Sequence, residues 1–531
     1  MIFKRIFKKV ATRFNFVILG LISQIIAILV AIVLIVIHFP VVLTVSILVS
    51  LILVLILLRK DKPSGYKLTW IVVILTLPVL GALMYLYFGD KRPTKKIAAY
   101  MNEHALIAKH LESDKNVPDM SCVQNDRMSS LLQYIQKQSA YHPYKNTRIK
   151  YYNFGEKMFA DMKKDLATAK KFIFLEYFMI QQSSMWDNIL DILLQKVNEG
   201  VDVRVIIDDL GSMKLFTNRY IRKLKAKGIK IIRFNPMRPK LLLFMNNRDH
   251  RKIMVIDGHT AFSGGANIAD EYINKKNRFG IWKDTGIRLE GDAVWSFTLM
   301  FIEMWDTFAK KGYRIDNYST YRPPTSKYGE RHTSSIFNSS NSQNSPKSTL
   351  NDIVLPYGDS PLDYEPLGES IYIDMMHQAE RYIYIFTPYL IIGERMIYAL
   401  QMAAKRGVDV RIITPGIPDK RWIFRLTRSH YRYLIKAGVK IYEYTPGFMH
   451  AKSVVSDDKI AVIGTINLDY RSLYLHFECA TLLYNSNIVQ EIRDDALETI
   501  KVSREVTMDC NRTSLSGEFI DALLHLVSPL L

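Results

Sequence analysis

The chain has 531 residues, with Lys and Arg outnumbering Asp and Glu by 71 to 51, a formal charge of +20. That length fits two or three domains, and an apolar share of 49 % is high for a protein surrounded entirely by water. Cys122, Cys479 and Cys510 have no Cys-x-x-Cys spacing and there is no Gly-x4-Gly-Lys-[Ser/Thr] loop, which excludes a zinc ribbon, a disulfide framework and a P-loop nucleotide engine.

The apolar excess lies at the front. Phe16 to Ile37, Val41 to Leu58 and Leu68 to Phe88 are uncharged over 22, 18 and 21 residues, and a helix of about 20 residues crosses a bilayer core. Residues 1–92 are therefore expected to form a membrane anchor of two or three helices. The first run is too long for a signal peptide and lacks an Ala-x-Ala cleavage site. Lys4, Arg5, Lys8, Lys9 and Arg13, with four basic residues between Arg59 and Lys67, put the N-terminus and that loop on the cytoplasmic side, so that the first two segments form a hairpin. A full third crossing would carry the rest of the chain outside, against the charge of Lys91, Arg92, Lys95 and Lys96. Pro78 and Gly81 offer a way to kink, re-enter or lie shallow. With anchors present, the positive charge points to anionic lipid as partner, and no basic run interleaved with aromatics marks a nucleic-acid platform.

Residues 93–140 read as a linker and lead-in helix. Beyond them the chain repeats: Lys171-Phe-Ile-Phe-Leu175 answers Arg381-Tyr-Ile-Tyr-Ile385, Gly200-Val-Asp-Val-Arg-Val-Ile-Ile207 answers Gly407-Val-Asp-Val-Arg-Ile-Ile413, and Gly228-Ile-Lys-Ile-Ile232 answers Gly438-Val-Lys-Ile-Tyr442. These are β-rich runs separated by stretches of helical apolar spacing, such as 187–198 and 395–405. The fold class is α/β, in two lobes at 141–312 and 351–531. The Ser- and Asn-rich stretch 313–350 reads as a flexible linker between them. The first copy carries an insert after Pro236, Met237 to Met245, which suits either a lip against lipid or a buried strand. Glu518 to Leu531 has an apolar helical face and reads as a packed terminal helix ahead of the other reading, a second membrane contact.

Between these runs the chain states one pattern twice: His250-x-Lys252-x4-Asp257-x6-Gly264-Gly265-x-Asn267 and His450-x-Lys452-x4-Asp457-x6-Gly464-Thr465-x-Asn467, at a constant offset of 200. A phosphodiester repels nucleophiles, so its oxygens need cationic and amide donors; Lys252, Lys452, Asn267 and Asn467 supply them. Imidazole titrates near neutrality, so one of His250 and His450 can attack phosphorus while the other protonates the leaving alkoxide. That division calls for no metal and no cofactor. Asp257 and Asp457 complete the catalytic pattern. They stand seven residues past each His, where a structural role at the lobe interface competes with an orienting one. The carboxylates expected to fix the imidazoles are Asp284 for His250 and Glu478 for His450, each on what should be the next strand of its own sheet.

The doubled motif resembles that of the phospholipase D superfamily and, within it, the bacterial cardiolipin synthases. The narrower resemblance rests on Phe174-Leu-Glu-Tyr-Phe178, Ile207-Asp-Asp-Leu-Gly-Ser212, Asn247-Arg-Asp-His-Arg-Lys252, Trp282-Lys-Asp-Thr285, Leu355-Pro-Tyr-Gly-Asp-Ser-Pro361, Thr387-Pro-Tyr-Leu390, Gly447-Phe-Met-His-Ala-Lys452 and Ser528-Pro-Leu-Leu531. Gly265 and Thr465 stand where Ser is common, and His476 where Asn is expected. The resemblance implies two pseudo-twofold-related lobes sharing one active site, cytoplasmic and behind a multi-pass anchor in a bacterial cell membrane. It implies phosphatidyl transfer between two phosphatidylglycerol molecules through a phosphatidyl-histidine, with His250 as nucleophile. A hydrolase or another acceptor alcohol would use the same residues. A membrane-anchored nuclease and a non-catalytic lipid-binding scaffold are further readings; the scaffold is opposed by the intact motifs. The oligomeric state is left open.

Overall fold

The computed structural model describes residues 40–89, 126–139, 141–236, 247–322, 352–363, 365–508 and 514–530, with isolated positions from 22 to 34 and at 99 and 103. The first apolar segment and the insert Met237 to Met245 thus lie largely or wholly outside the described residues.

The second apolar segment is helix α1, Pro40–Arg59. The third is broken. It forms α2, Ser64–Thr76, and α3, Pro78–Phe88, divided at Leu77, whose φ of −129° leaves the helical region, because Pro78 cannot continue the hydrogen-bond ladder. The two helices fold back on each other. Trp70 meets Tyr85 edge to face at 5.4 Å, the Tyr66 hydroxyl donates to the Gly89 carbonyl, and a Cβ on Gly81 would lie 2.1 Å from the Val73 carbonyl oxygen. Ser50 of α1 donates to the Pro78 carbonyl at 3.0 Å. Among the described residues no helix is long and apolar enough to cross a membrane; the side chains at positions 40, 42 and 43 of α1 are not among them.

Helix α4, Asp126–Ser139, packs on the second lobe. The first lobe contains β1 (Thr147–Tyr152), β2 (Phe172–Tyr177), β3 (Asp202–Asp208), β4 (Lys230–Phe234), β5 (Lys252–Ile256), β6 (Thr260–Gly264) and β7 (Gly286–Gly291), in sheet order β1-β7-β6-β5-β2-β3-β4. The second contains β8 (Ile353–Asp359), β9 (Tyr382–Phe386), β10 (Asp409–Pro415), β11 (Lys440–Tyr444), β12 (Ser453–Ser456), β13 (Ile460–Gly464), β14 (His476–Tyr484) and β15 (Ser503–Val506), in the matching order β8-β14-β13-β12-β9-β10-β11-β15. Strand β2 is apolar on both sides because its sheet is covered on both faces. Ile173 and Leu175 join the core beside α5 (Gly155–Thr168) and α6 (Ser184–Asn198), while Phe172 and Phe174 join the core shared with the second lobe. Helix α7, Val294–Phe308, is buried almost throughout and lies between the first sheet and β8.

Two short strand pairs join the lobes. Arg248–Asp249 runs parallel to the start of β14, with Arg248 opposite His476 and Asp249 opposite Phe477. Gly447–Met449 runs parallel to Ile281–Lys283, with Met449 opposite Lys283. Each motif histidine therefore follows a strand hydrogen-bonded to the other lobe.

Two expectations change. The start of the interlobe linker is packed, because Tyr318 is buried and the Tyr321 hydroxyl donates to Asp202 at 2.9 Å. The terminal helix is inverted. Its polar residues face α8 (Arg421–Ile435), where Arg425 meets Asp521 at 2.6 Å and Arg432 meets Glu518 at 2.9 Å, whereas Leu515, Phe519 and Leu523 are exposed. After α9 (Asn487–Lys501), that helix is α10, Leu515–Val527.

Candidate active site

The two copies of the motif open with His250 and His450 and continue past Lys252 and Lys452 along β5 and β12 into tight hairpins. Asp257 and Gly258 have φ of 51° and 74°, and Asp457 and Asp458 of 56° and 61°. Aspartate and glycine tolerate this left-handed backbone, which a primed turn of type I′ requires at both central residues; each loop has three residues between the paired Ile256 and Thr260 or Ser456 and Ile460. The Asp257 carboxylate accepts from the backbone N–H groups of Lys170, Lys171 and Phe172 at 2.8, 2.7 and 2.9 Å. Asp457 does the same for Glu380, Arg381 and Tyr382 at 2.8, 2.9 and 2.9 Å. The two aspartates thus stand at the far end of the motif strand, about 16 Å of strand rise from the lysines. They lock the hairpin to β2 and β9 and do not touch the imidazoles, so the catalytic role expected of them becomes one in holding the scaffold.

At the other end the halves meet. His250 Nδ1 donates to Glu478, 2.9 Å from both carboxylate oxygens, and His450 Nδ1 donates to Asp284 Oδ2 at 2.6 Å. The carboxylates are those expected, but the pairing is crossed: Asp284 serves His450, and Glu478 serves His250. The backbone explains the exchange. His250 N donates to the Phe477 carbonyl at 2.9 Å, and His450 N to the Lys283 carbonyl at 2.8 Å. Within its own lobe each carboxylate strand is separated from the motif strand by β6 or β13, about 10 Å away.

The residues around each carboxylate differ in a matched way. A Cβ on Gly265 would lie 2.0 Å from Asp284 Oδ1. At the equivalent position Thr465 fits, and its hydroxyl donates to Glu478 Oε2. Both carboxylates are fully buried and each faces the Nδ1 of its histidine, His450 Nδ1 lying also 2.9 Å from Lys452 Nζ; with the proton held on the carboxylate side, Nε2 is the nitrogen turned to chemistry.

Burial, followed by the Lys252 and Lys452 charges, pushes His250 well below the usual imidazole range. Burial and Lys452 push His450 down to about 4 against the pull of Asp284. Burial also lowers Lys252 to about 8 and Lys452 to about 7. Each lysine acts on the other lobe's histidine, so the two half-sites form a single electrostatic unit. The Lys252 ammonium donates to its own His250 carbonyl, and Lys452 to the His450 carbonyl. Asn267 is committed to the protein: its Oδ1 accepts from Met179 N at 3.2 Å and its Nδ2 donates to the Tyr272 hydroxyl at 2.8 Å. Asn467 is buried and its Oδ1 has no hydrogen-bond partner.

The settings of the two imidazoles are unlike. His450 sits among Tyr272, Trp282 and Phe448 at 5.3, 5.3 and 5.8 Å between ring centroids. His250 is flanked by a buried charge network, with Arg251 on Glu176 at 2.7 Å and Arg248 on Asp208 at 3.5 Å. Glu176 and Asp208 stand inside the runs Phe174–Phe178 and Ile207–Ser212, where nothing in the sequence alone marks a role for them. His476 is visible in sequence only as a departure from the expected Asn. That ring lies 5.6 Å from His250, its Nδ1 is 3.7 Å from Glu478, and neither ring nitrogen has a hydrogen-bond partner. Among the described residues, His250, His476 and Glu478 form a group able to present one ligand atom each to a metal; two of these are already hydrogen-bonded to each other.

Comparison with known proteins agrees with this geometry. The "Cardiolipin synthase, PLD-like domain" family matches residues 162–284 and 372–499, and the "Phospholipase_D-nuclease N-terminal" family matches 42–89. A cardiolipin synthase of Oceanobacillus iheyensis is 32 % identical over 489 residues, 90 % of this chain and 95 % of that protein. Cardiolipin synthase 2 of Bacillus anthracis is 32 % identical over 87 % of this chain and 86 % of its own length. An uncharacterised protein of Streptococcus mutans is 45 % identical over 87 % of this chain and 96 % of that protein. In fold, the crystal structure of phosphatidylserine synthase from Haemophilus influenzae superposes with a TM-score of 0.57 at 17 % identity, covering 77 % of this chain and all of that one.

Proposed function

The chain belongs to the cardiolipin synthase family of phospholipase D-like enzymes, and from that premise we propose that it joins two phosphatidylglycerol molecules into cardiolipin, releasing glycerol. The observation that carries this reading is the crossed pair of imidazole–carboxylate contacts around two buried lysines.

In the first half-reaction His250 Nε2 attacks phosphorus and the P–O bond to the glycerol headgroup breaks. The departing alkoxide takes a proton from His450, and the lipid phosphate stays on His250 as a phosphoramidate. In the second half-reaction neutral His450 removes the proton from a hydroxyl of another phosphatidylglycerol, whose oxygen attacks phosphorus as the P–N bond breaks. One phosphodiester is exchanged for another, so no nucleotide is consumed. In the free site the lysine charges and burial keep His450 neutral. A phosphodiester anion between Lys252 and Lys452 offsets that repulsion, which couples substrate binding to the proton His450 must carry. Glu478 and Asp284 stabilise whichever imidazole becomes cationic.

The same reading places the chain in a bacterial membrane with both lobes on the cytoplasmic side. Residues 41–58 are an uncharged run in sequence, whereas α2 and α3, with 13 and 11 residues, rise only about 20 and 16 Å, short of a hydrocarbon core of about 30 Å. A shallow hairpin returns the chain to the side it came from, and this resolves the charge conflict at Lys91 to Lys96. The deciding experiment is purified protein in phosphatidylglycerol vesicles with EDTA present, the lipids and free glycerol being followed by mass spectrometry. Cardiolipin and glycerol in equal amounts are expected. Phosphatidic acid as the main product would make the enzyme a hydrolase, and dependence on an added divalent ion would replace the metal-free mechanism.

A further inference from the structure

A helix that shows its apolar face to the outside needs a reason. In α10 the polar residues are the engaged ones: Asp521 accepts from Arg425 Nε at 2.6 Å, Glu518 from Arg432 at 2.9 Å, and His525 Nε2 lies 2.8 Å from the Ser429 hydroxyl. The opposite side exposes Leu515 at 86 %, Phe519 at 67 % and Leu523 at 47 %. Rotating the helix to bury those groups would break both ion pairs and leave Arg425, which is two-thirds buried at its side chain, without its acid. The inversion is thus fixed by the α8 surface and is not a loose docking.

What lies beside it identifies the occupant. The end of α10 is bound to α2: Thr69 Oγ1 donates to the Leu526 carbonyl, and Leu530 joins the small core of the helical hairpin. Leu68 and Leu75 of that hairpin are exposed too, at 56 % and 47 %. One turn before Arg425, Trp422 stands 66 % exposed at the start of α8, and that helix carries Arg421, Arg425, Arg428 and Arg432. Three of those arginines are paired with Asp521, Glu443 and Glu518, so it is the exposed aliphatics bordered by an indole that compose a surface suited to the headgroup layer of a leaflet.

We propose that α10, with Trp422, is a second membrane-contact element, lying in the plane of the interface and continuous with the α2–α3 hairpin. This rests on the membrane reading given above and adds to it a C-terminal contact on the second lobe. Its consequence is orientation. Gly65, at the foot of α2, lies against the Tyr470 hydroxyl, three residues past Asn467, so the two contacts flank the second half-site and hold it against the lipid from which both substrates come.

The test uses the full chain with Phe519→Cys, in a Cys122→Ser, Cys510→Ser background, carrying an environment-sensitive fluorophore in phosphatidylglycerol vesicles. Lipids with quenchers at shallow acyl positions should quench the probe, whereas the same probe at Tyr398→Cys, an exposed site on another helix of that lobe, should be unaffected. In parallel, Leu515→Glu with Phe519→Glu should lower turnover on vesicles about tenfold and leave turnover on dispersed short-chain phosphatidylglycerol within about twofold. An unquenched probe overturns the proposal, as does a variant that loses activity equally on both substrate forms, or one that changes only the oligomeric state, since that would make the face a contact between copies. A wild-type chain that makes no cardiolipin would undo the assigned reaction but leave the quenching result standing.

Discussion

The two half-sites share a backbone plan but not an environment. The first holds His250 within buried charge, next to Arg251 and Glu176, with a longer carboxylate that also takes the Thr465 hydroxyl. The second holds His450 within an aromatic cage, on a shorter carboxylate packed against Gly265. The shared backbone plan sets the geometry, and the side chains around it make the two imidazoles chemically unequal. A nucleophile that must carry a covalent adduct is suited by the rigid, doubly supported half; a proton carrier needs only one acceptor and a dry surround.

The largest effect should come from the histidines. His250→Ala and His450→Ala each remove an imidazole that the two half-reactions require, so steady-state turnover should vanish in both. Rapid acid quench separates them: a phosphatidyl adduct should map to His250 and be absent from His250→Ala. An adduct on His450 would reverse the comparison.

Next come the carboxylates, where crossing makes a sharp forecast. Glu478→Gln should slow adduct formation on His250, and Asp284→Asn should slow the proton-transfer steps of His450, each lowering kcat by about 10² or more. Pre-steady-state kinetics show which step moves. If Glu478→Gln leaves the adduct-forming burst untouched, the crossed assignment fails.

The position after Gly264 and Gly464 should respond unequally. Gly265→Thr forces a side chain onto Asp284, where a Cβ alone would come within 2.0 Å, and kcat should fall at least tenfold. Thr465→Gly removes one hydrogen bond to a carboxylate that keeps His250, and a loss of a few-fold is expected. Equal effects in the two variants would mean that the match between side-chain length and local space is not what separates the halves.

The doubled pattern made the lobes, the histidines, the lysines and both carboxylates legible in the sequence, because their spacing is tied to chemistry. What it concealed was the partner of each carboxylate. Residues 284 and 478 are close to their own motifs in number, and only the parallel pairing of Arg248–Asp249 with β14 and of Gly447–Met449 with Ile281–Lys283 brings them across. Asp257 and Asp457 are ambiguous in sequence for a related reason: a short acidic residue in a recurring motif reads as chemistry, yet a primed turn and three backbone N–H donors demand the same residue. The break at Pro78 was visible in sequence. The inversion of α10 was not, since its polar side is explained only by arginines nearly a hundred residues earlier.

The lysines offer a pH test. In the free site Lys452 is lowered to about 7 and Lys252 to about 8, so both are charged below those values and lose their protons as the pH rises through them. Because kcat/KM reports the free enzyme, it should decline above about pH 7 to 8. A bound phosphodiester restores the charge, so kcat should fall at higher pH. Lys452→Arg keeps its charge throughout and should remove the lower-pH part of the decline, even where its planar head costs absolute rate. A wild-type kcat/KM flat from pH 6 to 9 would contradict this account.

The smallest effect should be that of His476. It lies on the same face of β14 as Glu478, two residues away, as strand alternation requires, and burial pushes it down to about 4. At neutral pH it is therefore uncharged and, with 3.7 Å to Glu478, too far for a hydrogen bond. An uncharged ring that holds nothing should be replaceable by a smaller amide. His476→Asn is expected to leave kcat and KM within about threefold and the temperature midpoint within a few degrees. The variant also tests the metal-ligand group, since removing one of three donors should change nothing if no ion is used. A loss of 10² in kcat with the fold intact would show that the first half-site relies on a third imidazole, and the contrast between the halves would then be one of composition as well as of surroundings.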